Sequence, residues 1–168
     1  AGKVAADFAV ESYVNMFALD AFIVRPFNNY GPRQNYQGAL AGVIPITAMR
    51  ILAGGKPEIH GSGEQSRDFI FVQDTVDAVV KLYRCCAAGE TVNISTDNQV
   101  SITKLISLVS TELGYTNEIL RKPGRKVDVE CHIASNKKVK QLIDFSLTPF
   151  QEGLSRTLDY YISISQRE

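Results

Sequence analysis

The chain has 168 residues, which is enough for one ordinary domain or a large part of one. Its composition, 45% hydrophobic and 21% charged, is globular and excludes a disordered or fibrous protein. Lysine plus arginine and aspartate plus glutamate both total 18, so the net charge is zero and the basic footprint of a nucleic-acid binder is missing.

Helices and strands are predicted to alternate in the first half of the chain. Residues 3–17 lack glycine and proline and space their apolar side chains as a helix does. The β-branched and aromatic run at residues 21–25 predicts a strand. Residues 42–53 predict a second helix, which Gly54-Gly55 ends. Residues 58–60 predict a short strand that leads into a flexible glycine-rich turn.

The same alternation continues through the middle of the chain. Residues 67–72 predict a strand, and Asp74 is the expected N-cap of a helix that runs to about residue 86. Residues 91–95 predict the next strand. Ser101 is the expected N-cap of a helix that ends before Gly114.

The last segment predicts a strand and a long C-terminal helix. Ile119-Leu120 predicts a short strand, and residues 134–137 predict the start of a short helix. Thr148 and Gln151 have the spacing of a capping box, so we expect them to begin the final helix. Its buried face should carry Leu154, Leu158 and Tyr161. The whole order of elements favours the α/β class.

Targeting and cysteine patterns point to a cytoplasmic protein. No apolar run approaches the roughly 20 residues that span a bilayer, and no signal-peptide pattern opens the chain. Cys85, Cys86 and Cys131 are odd in number and lack metal-ligand spacing, so we expect reduced thiols and no metal site.

A polar turn follows the strand predicted at residues 21–25. Its sequence is Arg25-Pro26-Phe27-Asn28-Asn29-Tyr30-Gly31-Pro32-Arg33-Gln34. The prolines, the glycine and the asparagines predict a rigid loop at the carboxyl end of a strand, where open α/β sheets place their ligands. Amide and guanidinium groups suit a polar, anionic small molecule.

Four separated segments occur in an order that is specific to one family. They are Lys3-Val4-Ala5-Ala6-Asp7, the turn at residues 25–34, Ile59-His60-Gly61-Ser62-Gly63-Glu64-Gln65-Ser66-Arg67-Asp68-Phe69, and Val72-Gln73-Asp74. The chain resembles the C-terminal half of the extended short-chain dehydrogenase/reductases that act on nucleotide sugars. These include UDP-sugar 4-epimerases, dTDP- or UDP-sugar 4,6-dehydratases and UDP-glucuronate decarboxylases.

This resemblance covers essentially all residues from 1 to 168 and implies an architecture. It implies a single unit that contains the end of a Rossmann-like sheet and a small substrate-binding α/β subdomain. The N-terminal dinucleotide-binding Rossmann part of the family is then absent from the chain.

The resemblance also assigns the cofactor side of the site. Lys3 takes the position of the catalytic lysine in a Tyr-x-x-x-Lys motif, where it contacts the nicotinamide ribose and lowers the pKa of the tyrosine. Pro26 takes a position whose backbone lies against the nicotinamide. The alternative interpretation of Lys3 is an exposed lysine near a helix end.

The resemblance places several further residues at the substrate. Asn28 would bind the sugar or diphosphate, with Asn29 and Arg33 beside it, although loop capping by the asparagines is the alternative. Arg67 would hold the diphosphate, although an ion pair with a neighbouring carboxylate is the alternative. Val43 is assigned to the ligand as well.

Two more segments are assigned with less specific patterns. Ile59 and His60 match the strand beside the nucleotide base, where a stacking or core role for His60 is favoured over catalysis. Arg125 would contact phosphate and Asp128 a ribose hydroxyl, with a solvated basic turn as the alternative.

Two departures from the family pattern concern the substrate, because Gly42 replaces a common basic or amide side chain and residues 134–137 replace the usual Asp-x-Ser-Lys. The family's acid/base tyrosine and glycine-rich dinucleotide turn are also expected to be missing from this chain, since the turn at residues 61–63 precedes a predicted strand and does not replace that phosphate-binding turn. We expect the complete enzyme to use NAD or NADP and this chain alone to be inactive. The alternative function is a truncated, non-catalytic module that binds ligand or self-associates as a homo-oligomer.

Overall fold

The computed structural model describes residues 2–38, 40–124 and 130–166. In these stretches the chain forms six helices and nine short strands. The helices are α1 (Gly2–Phe17), α2 (Val43–Leu52), α3 (Val72–Leu82), α4 (Ile102–Glu112), α5 (Lys137–Leu142) and α6 (Phe150–Ser165). The strands are β1 (Ile23–Pro26), β2 (Asn28–Tyr30), β3 (Glu58–His60), β4 (Ser66–Arg67), β5 (Phe69–Phe71), β6 (Thr91–Ile94), β7 (Val100–Ser101), β8 (Leu120–Lys122) and β9 (Cys131–His132).

Parallel pairing dominates the sheets, as the α/β prediction requires. β1 pairs with β6, β2 with β5, and β3 with β8, all in parallel. A small mixed sheet has the order β7-β4-β9, in which β4 runs antiparallel to β7 and parallel to β9.

Two hydrophobic cores divide the interior. One core lies around α3 and the β1–β6 pair, and its buried members are Ile70, Ala78, Leu82, Val92, Ile94 and Val139. The other lies where α2, α4 and α6 meet, and it includes Ile44, Ala48, Leu105, Val109, Leu154, Leu158 and Tyr161. The predicted buried face of the C-terminal helix is therefore confirmed.

Helix α1 is the exception to this packing. None of its residues is buried. Five of its large apolar side chains are more than half exposed, and they are Val4, Phe8, Tyr13, Met16 and Phe17. Clustered apolar side chains of this kind are typical of a surface that packs against another chain or domain.

Several local predictions are confirmed. Ser101 caps α4, because its hydroxyl accepts a hydrogen bond from the backbone N–H of Lys104 at 3.2 Å. Gly54 adopts a φ of +75° and its N–H bonds Ile51 O, which ends α2. The three cysteines are free thiols. Among the described residues, no helix combines the length and apolarity that crossing a bilayer needs.

Two predicted caps are wrong. α3 begins at Val72, so Asp74 lies in its first turn and does not cap it. Instead, the Asp74 carboxylate accepts hydrogen bonds from the backbone N–H and the hydroxyl of Thr148, at 2.8 and 2.6 Å. α6 begins at Phe150, after Pro149, and has no side-chain cap.

Two predicted segments are also divided differently. The strand expected at residues 67–72 is interrupted at Asp68, which separates β4 from β5. The turn expected at residues 25–34 contains the strand β2. Both changes have one cause, because the chain moves from one sheet to another at these points.

Candidate functional site

The chain changes sheets at Phe27, and this places Asn28 at the junction. The Phe27 N–H bonds Ile94 O in the sheet of β1, at 2.9 Å, whereas the Asn28 N–H bonds Asp68 O beside β5, at 3.2 Å. The Asn28 side-chain Nδ2 donates to the same Asp68 oxygen at 3.0 Å and lies 3.4 Å from His132 Nδ1. The amide is therefore held on two sides.

Asp68 organises this junction from the interior. It is fully buried, and its carboxylate accepts hydrogen bonds from Thr96 N, Thr96 Oγ1 and Asp97 N. Its own N–H donates to His132 O at 2.9 Å. One residue thus ties together the strands that carry Asn28 and His132.

Arg67 and His132 are neighbours in the mixed sheet. Strand register pairs Arg67 of β4 with His132 of β9. The His132 ring also packs against Phe27, with ring centroids 4.8 Å apart and planes inclined by 31°. Arg67 Nη1 donates to Ser66 O at 2.8 Å. The backbones of Arg67 and His132 therefore lie side by side at the edge of the junction.

Sequence reasoning missed His132 and Asp68 as organisers of the site. Nothing local distinguishes His132, because the segment around it has no clear periodicity. Asp68 follows Arg67 in one of the family-like segments, but the sequence assigned it no role beyond a possible ion pair.

A large cavity lies between α1 and the end of β1. It has a volume of about 770 Å³ and is open to solvent. Its polar lining includes Lys3, Asp7 and Glu11 from α1, Arg25 from β1, and His132. Its apolar lining includes Val24, Pro26 and Phe27, together with Val4, Ala6 and Phe8 of α1. Lys3 and Pro26, which the sequence assigned to a cofactor, thus line one cavity.

An ion pair closes one side of this cavity. Arg25 Nε and Nη2 both donate to Asp7 Oδ2, at 3.1 and 2.7 Å. The Asp7 side chain is 23% exposed, so this carboxylate is partly removed from water. The pair connects α1 to β1.

A second cavity, of about 290 Å³, lies on the other side of Asn28. Its lining also includes Asn29, Gln34, Gly42, Val43 and Phe69. The Asn29 side-chain oxygen accepts a hydrogen bond from Thr75 Oγ1 at 2.6 Å, which is the kind of internal contact that the loop-capping alternative describes.

Gly42 and Arg33 have distinct positions beside this second cavity. A Cβ at Gly42 would lie 2.5 Å from the Gln34 side-chain nitrogen, so the Gln34 amide occupies the space beside the glycine. Arg33 is exposed and adopts a φ of +66°, and it is not part of the cavity lining.

A third cavity, of about 350 Å³, lies beside His60 and the turn at residues 61–63. Ile59 is buried, whereas the His60 side chain is 39% exposed, with Nε2 3.4 Å from Glu58 Oε2. Glu58 also accepts a 2.7 Å hydrogen bond from Arg50, and this bond is the main reason that the pKa of Glu58 lies below its usual range. Arg125 and Asp128 lie outside the described residues.

No metal centre is present in the described part of the chain, where no group of three or more His, Cys, Asp or Glu side chains converges. The turn at residues 61–63 leads into β4, so it does not open a helix that would bind phosphate.

Comparison with known proteins identifies the class. The family model for the NAD dependent epimerase/dehydratase family matches residues 1–95, and the chain belongs to this family. Its fold is that of the extended short-chain dehydrogenase/reductases, matched over about half of their length. The resemblance read from the sequence is therefore confirmed.

Three similar proteins illustrate the range of the family. A UDP-glucose 4-epimerase from Mycolicibacterium smegmatis is 31% identical over 99% of this chain and 53% of its own length. A dTDP-4-dehydro-6-deoxy-D-allose reductase from Streptomyces bikiniensis is 34% identical over 86% of this chain and 44% of its own length. The crystal structure of UDP-glucose 4-epimerase from Thermotoga maritima with UDP-glucose gives a TM-score of 0.92 at 31% identity, covering 96% of this chain and 52% of that one. The chain thus spans about half the length of the curated relatives it matches.

Proposed function

We propose that this chain is the nucleotide-sugar-binding part of an NAD(P)-dependent nucleotide-sugar epimerase or dehydratase, with a UDP- or dTDP-linked sugar as ligand. The observation that carries the proposal is the placement of Arg67 beside His132, with the Asn28 amide bonded to that histidine. Of these groups, His132 also lines the cavity that Lys3 lines. Cationic and amide donors grouped at this junction suit a diphosphate joined to a polyhydroxylated sugar.

Each part of the ligand has a corresponding group in the chain. The Arg67 guanidinium binds diphosphate oxygens, because its planar fork matches two oxygens at once. Asn28 donates to the sugar or diphosphate, with Asn29 and Arg33 beside it. Ile59 and His60 border the nucleotide base, and Val43 contacts the sugar side through the second cavity. Arg125 and Asp128 complete the phosphate and ribose contacts in this proposal.

The cofactor end of the site fits a nicotinamide riboside in character. An apolar wall that includes Pro26 and Phe27 suits a flat ring, and the Lys3 ammonium suits ribose hydroxyls. When bound, NAD or NADP would accept and return the hydride at C4 of the sugar. Lys3 would hold the ribose in place, and its charge would favour the ionised form of an acid/base tyrosine in contact with it.

Calorimetric titration of the full chain tests this proposal. UDP, dTDP, UDP-glucose and NAD are titrated separately, and we expect at least one of the two nucleotides to bind. Arg67→Ala should weaken that binding about tenfold or more, because charge-assisted hydrogen bonds to phosphate are lost. Arg84→Ala, an exposed arginine just beyond the end of α3, is the matched control and should bind as wild type does. Absence of binding to all four ligands at millimolar concentration would contradict the proposal.

A second candidate function is a non-catalytic module that self-associates. The observation that favours it is α1, which has no buried residue and exposes a series of large apolar side chains. Burial of such a surface against another copy of the chain, or against another part of the complete protein, is favourable by its apolar area.

A further inference from the structure

The cavity beside α1 sets a carboxylate next to Lys3 on the same helix. Lys3, Asp7 and Glu11 all line this cavity and follow one another at intervals of four residues. Side chains four residues apart are neighbours on a helix surface, so Asp7 is within reach of the Lys3 ammonium. Glu11 lies about 12 Å further along the helix axis than Lys3, which is beyond direct pairing.

Arg25 engages the Asp7 carboxylate from the neighbouring strand. Two guanidinium nitrogens donate to the same oxygen, Asp7 Oδ2, at 3.1 and 2.7 Å. A fork of this kind, on a partly buried carboxylate, is a stronger partner than a single ammonium on a flexible chain. Among the described residues, Lys3 makes no hydrogen bond or ion pair.

We propose that Arg25 is a positioning residue for Lys3: it holds Asp7 and thereby leaves the Lys3 ammonium free to donate to the hydroxyl groups of a ribose or sugar in this cavity. This inference rests on the proposed function for the identity of that ligand. Without Arg25, the Asp7 carboxylate pairs with Lys3, and the ammonium loses part of its capacity to donate to a ligand.

The competing explanation is a purely structural role. In that case the Arg25–Asp7 pair only fastens α1 to β1, and removing either partner has the same effect on Lys3. The two explanations predict different effects on Lys3 when Asp7 alone is removed. Under the positioning role this change leaves Lys3 free, whereas under the structural role it loosens α1 as much as the loss of Arg25 does.

Competitive lysine acetylation measures the state of Lys3 directly. The full chain is treated with a trace of acetic anhydride, and acetylation of Lys3 is quantified by mass spectrometry relative to Lys104. Lys104 is an exposed lysine on α4 and serves as the internal reference. The variants are Arg25→Ala, Arg25→Lys, Asp7→Asn and the double variant with Arg25→Ala and Asp7→Asn.

The positioning role predicts a distinct pattern among these variants. The Lys3 to Lys104 ratio should fall about twofold in Arg25→Ala, the size expected for one helical ion pair. It should stay at the wild-type value in Asp7→Asn, return to that value in the double variant, and be intermediate in Arg25→Lys. An unchanged ratio in Arg25→Ala, or equal changes in Arg25→Ala and Asp7→Asn, would overturn the proposal.

Protection by ligands separates this inference from the proposed function. The wild-type labelling is repeated with NAD and with UDP-glucose, and at least one of them should reduce acetylation of Lys3 but not of Lys104. If neither ligand protects Lys3, the proposed binding of NAD or a nucleotide sugar in the cavity beside α1 is contradicted. If protection occurs but the Arg25→Ala ratio is unchanged, only the role of Arg25 is contradicted.

Discussion

Asp68 holds Thr96 through two hydrogen bonds to one carboxylate oxygen, from the backbone N–H at 2.9 Å and from the hydroxyl at 2.7 Å. The other carboxylate oxygen accepts from Asp97 N at 3.1 Å, and Asp97 adopts a φ of +59°. The backbone oxygen of Asp68 accepts hydrogen bonds from the backbone N–H and from the side-chain Nδ2 of Asn28. The predicted ligand residue is therefore held by the backbone carbonyl of a buried aspartate, whose carboxylate in turn fixes Thr96 and Asp97.

Replacing this carboxylate should cost much of the stability of the chain. Asp68→Ala leaves the N–H groups of Thr96 and Asp97 without their acceptor, so we expect the free energy of unfolding to fall by about 3 kcal/mol. Urea denaturation followed by circular dichroism measures this change. Asp77→Ala, which removes an exposed carboxylate of α3 bonded to Gln73, should change it by less than about 0.5 kcal/mol. Equal effects of the two substitutions would contradict the role of Asp68.

Gly153 makes room for the hydroxyl of Tyr30 inside the α6 core. A Cβ at this position would overlap the Tyr30 hydroxyl and lie 3.1 Å from the Phe71 ring. Gly153→Ala gains about 1 kcal/mol of helix propensity but incurs an overpacking cost of about 1–3 kcal/mol, so we expect a net loss of about 1 kcal/mol.

A double-mutant cycle identifies the source of that loss. In a Tyr30→Phe background, which removes the hydroxyl, Gly153→Ala should cost less than it does in wild type. Denaturant unfolding of the four proteins gives the coupling free energy. A cost that is the same in both backgrounds would show that the hydroxyl is not the limiting contact.

Alkaline pH should destabilise the fold through Tyr161. Burial raises the pKa of Tyr161 to about 12, with a smaller contribution from Tyr160. The Tyr161 hydroxyl donates to Gln34 O at 2.6 Å, a hydrogen bond that the ionised phenolate cannot make. In the unfolded chain a tyrosine titrates near about 10. The stability from this group is therefore complete below about pH 10 and is lost as the pH rises towards 12.

Unfolding free energies measured between pH 8 and 11.5 test this dependence. Tyr161→Phe should lower stability at pH 8 because the bond to Gln34 is lost, and its decline above about pH 10 should be shallower than that of wild type. Part of the decline should remain, because burial and the Asp74 carboxylate also raise the pKa of Tyr30. Parallel declines in the two proteins would contradict the assignment to Tyr161.

The exposed face of α1 should drive self-association of this chain. Phe8 is 64% exposed and Met16 is 73% exposed, and both belong to the apolar series on this helix. Sedimentation at micromolar concentration should show dimers or larger species that dissociate in Phe8→Glu and Met16→Glu, because buried carboxylates are costly. Ser107→Glu on α4, an exposed site outside this series, is the control. A wild-type monomer across this concentration range would contradict the assembly function.

The sequence predicted most of the local structure of the chain. The helix at residues 3–17, the cap at Ser101 and the stop at Gly54 follow from helical spacing, a side-chain acceptor and a glycine, and each of these acts within a few residues. The family also follows from sequence, because its segments are short, ordered and chemically distinctive. These features need no knowledge of distant contacts.

The tertiary structure alone decided how distant segments meet. Thr148 was expected to cap α6, but α6 has no side-chain cap, and the Thr148 hydroxyl donates to the carboxylate of Asp74, a residue far away in the chain. His132 lies beside Arg67 because β4 pairs with β9 in one particular register, and register between separated strands is set by packing and not by local propensity. The sequence by itself determined the family and the residues to consider, whereas only the packed fold determined which of them share a cavity, because side chains far apart in the chain are brought together by the burial of the surfaces between them.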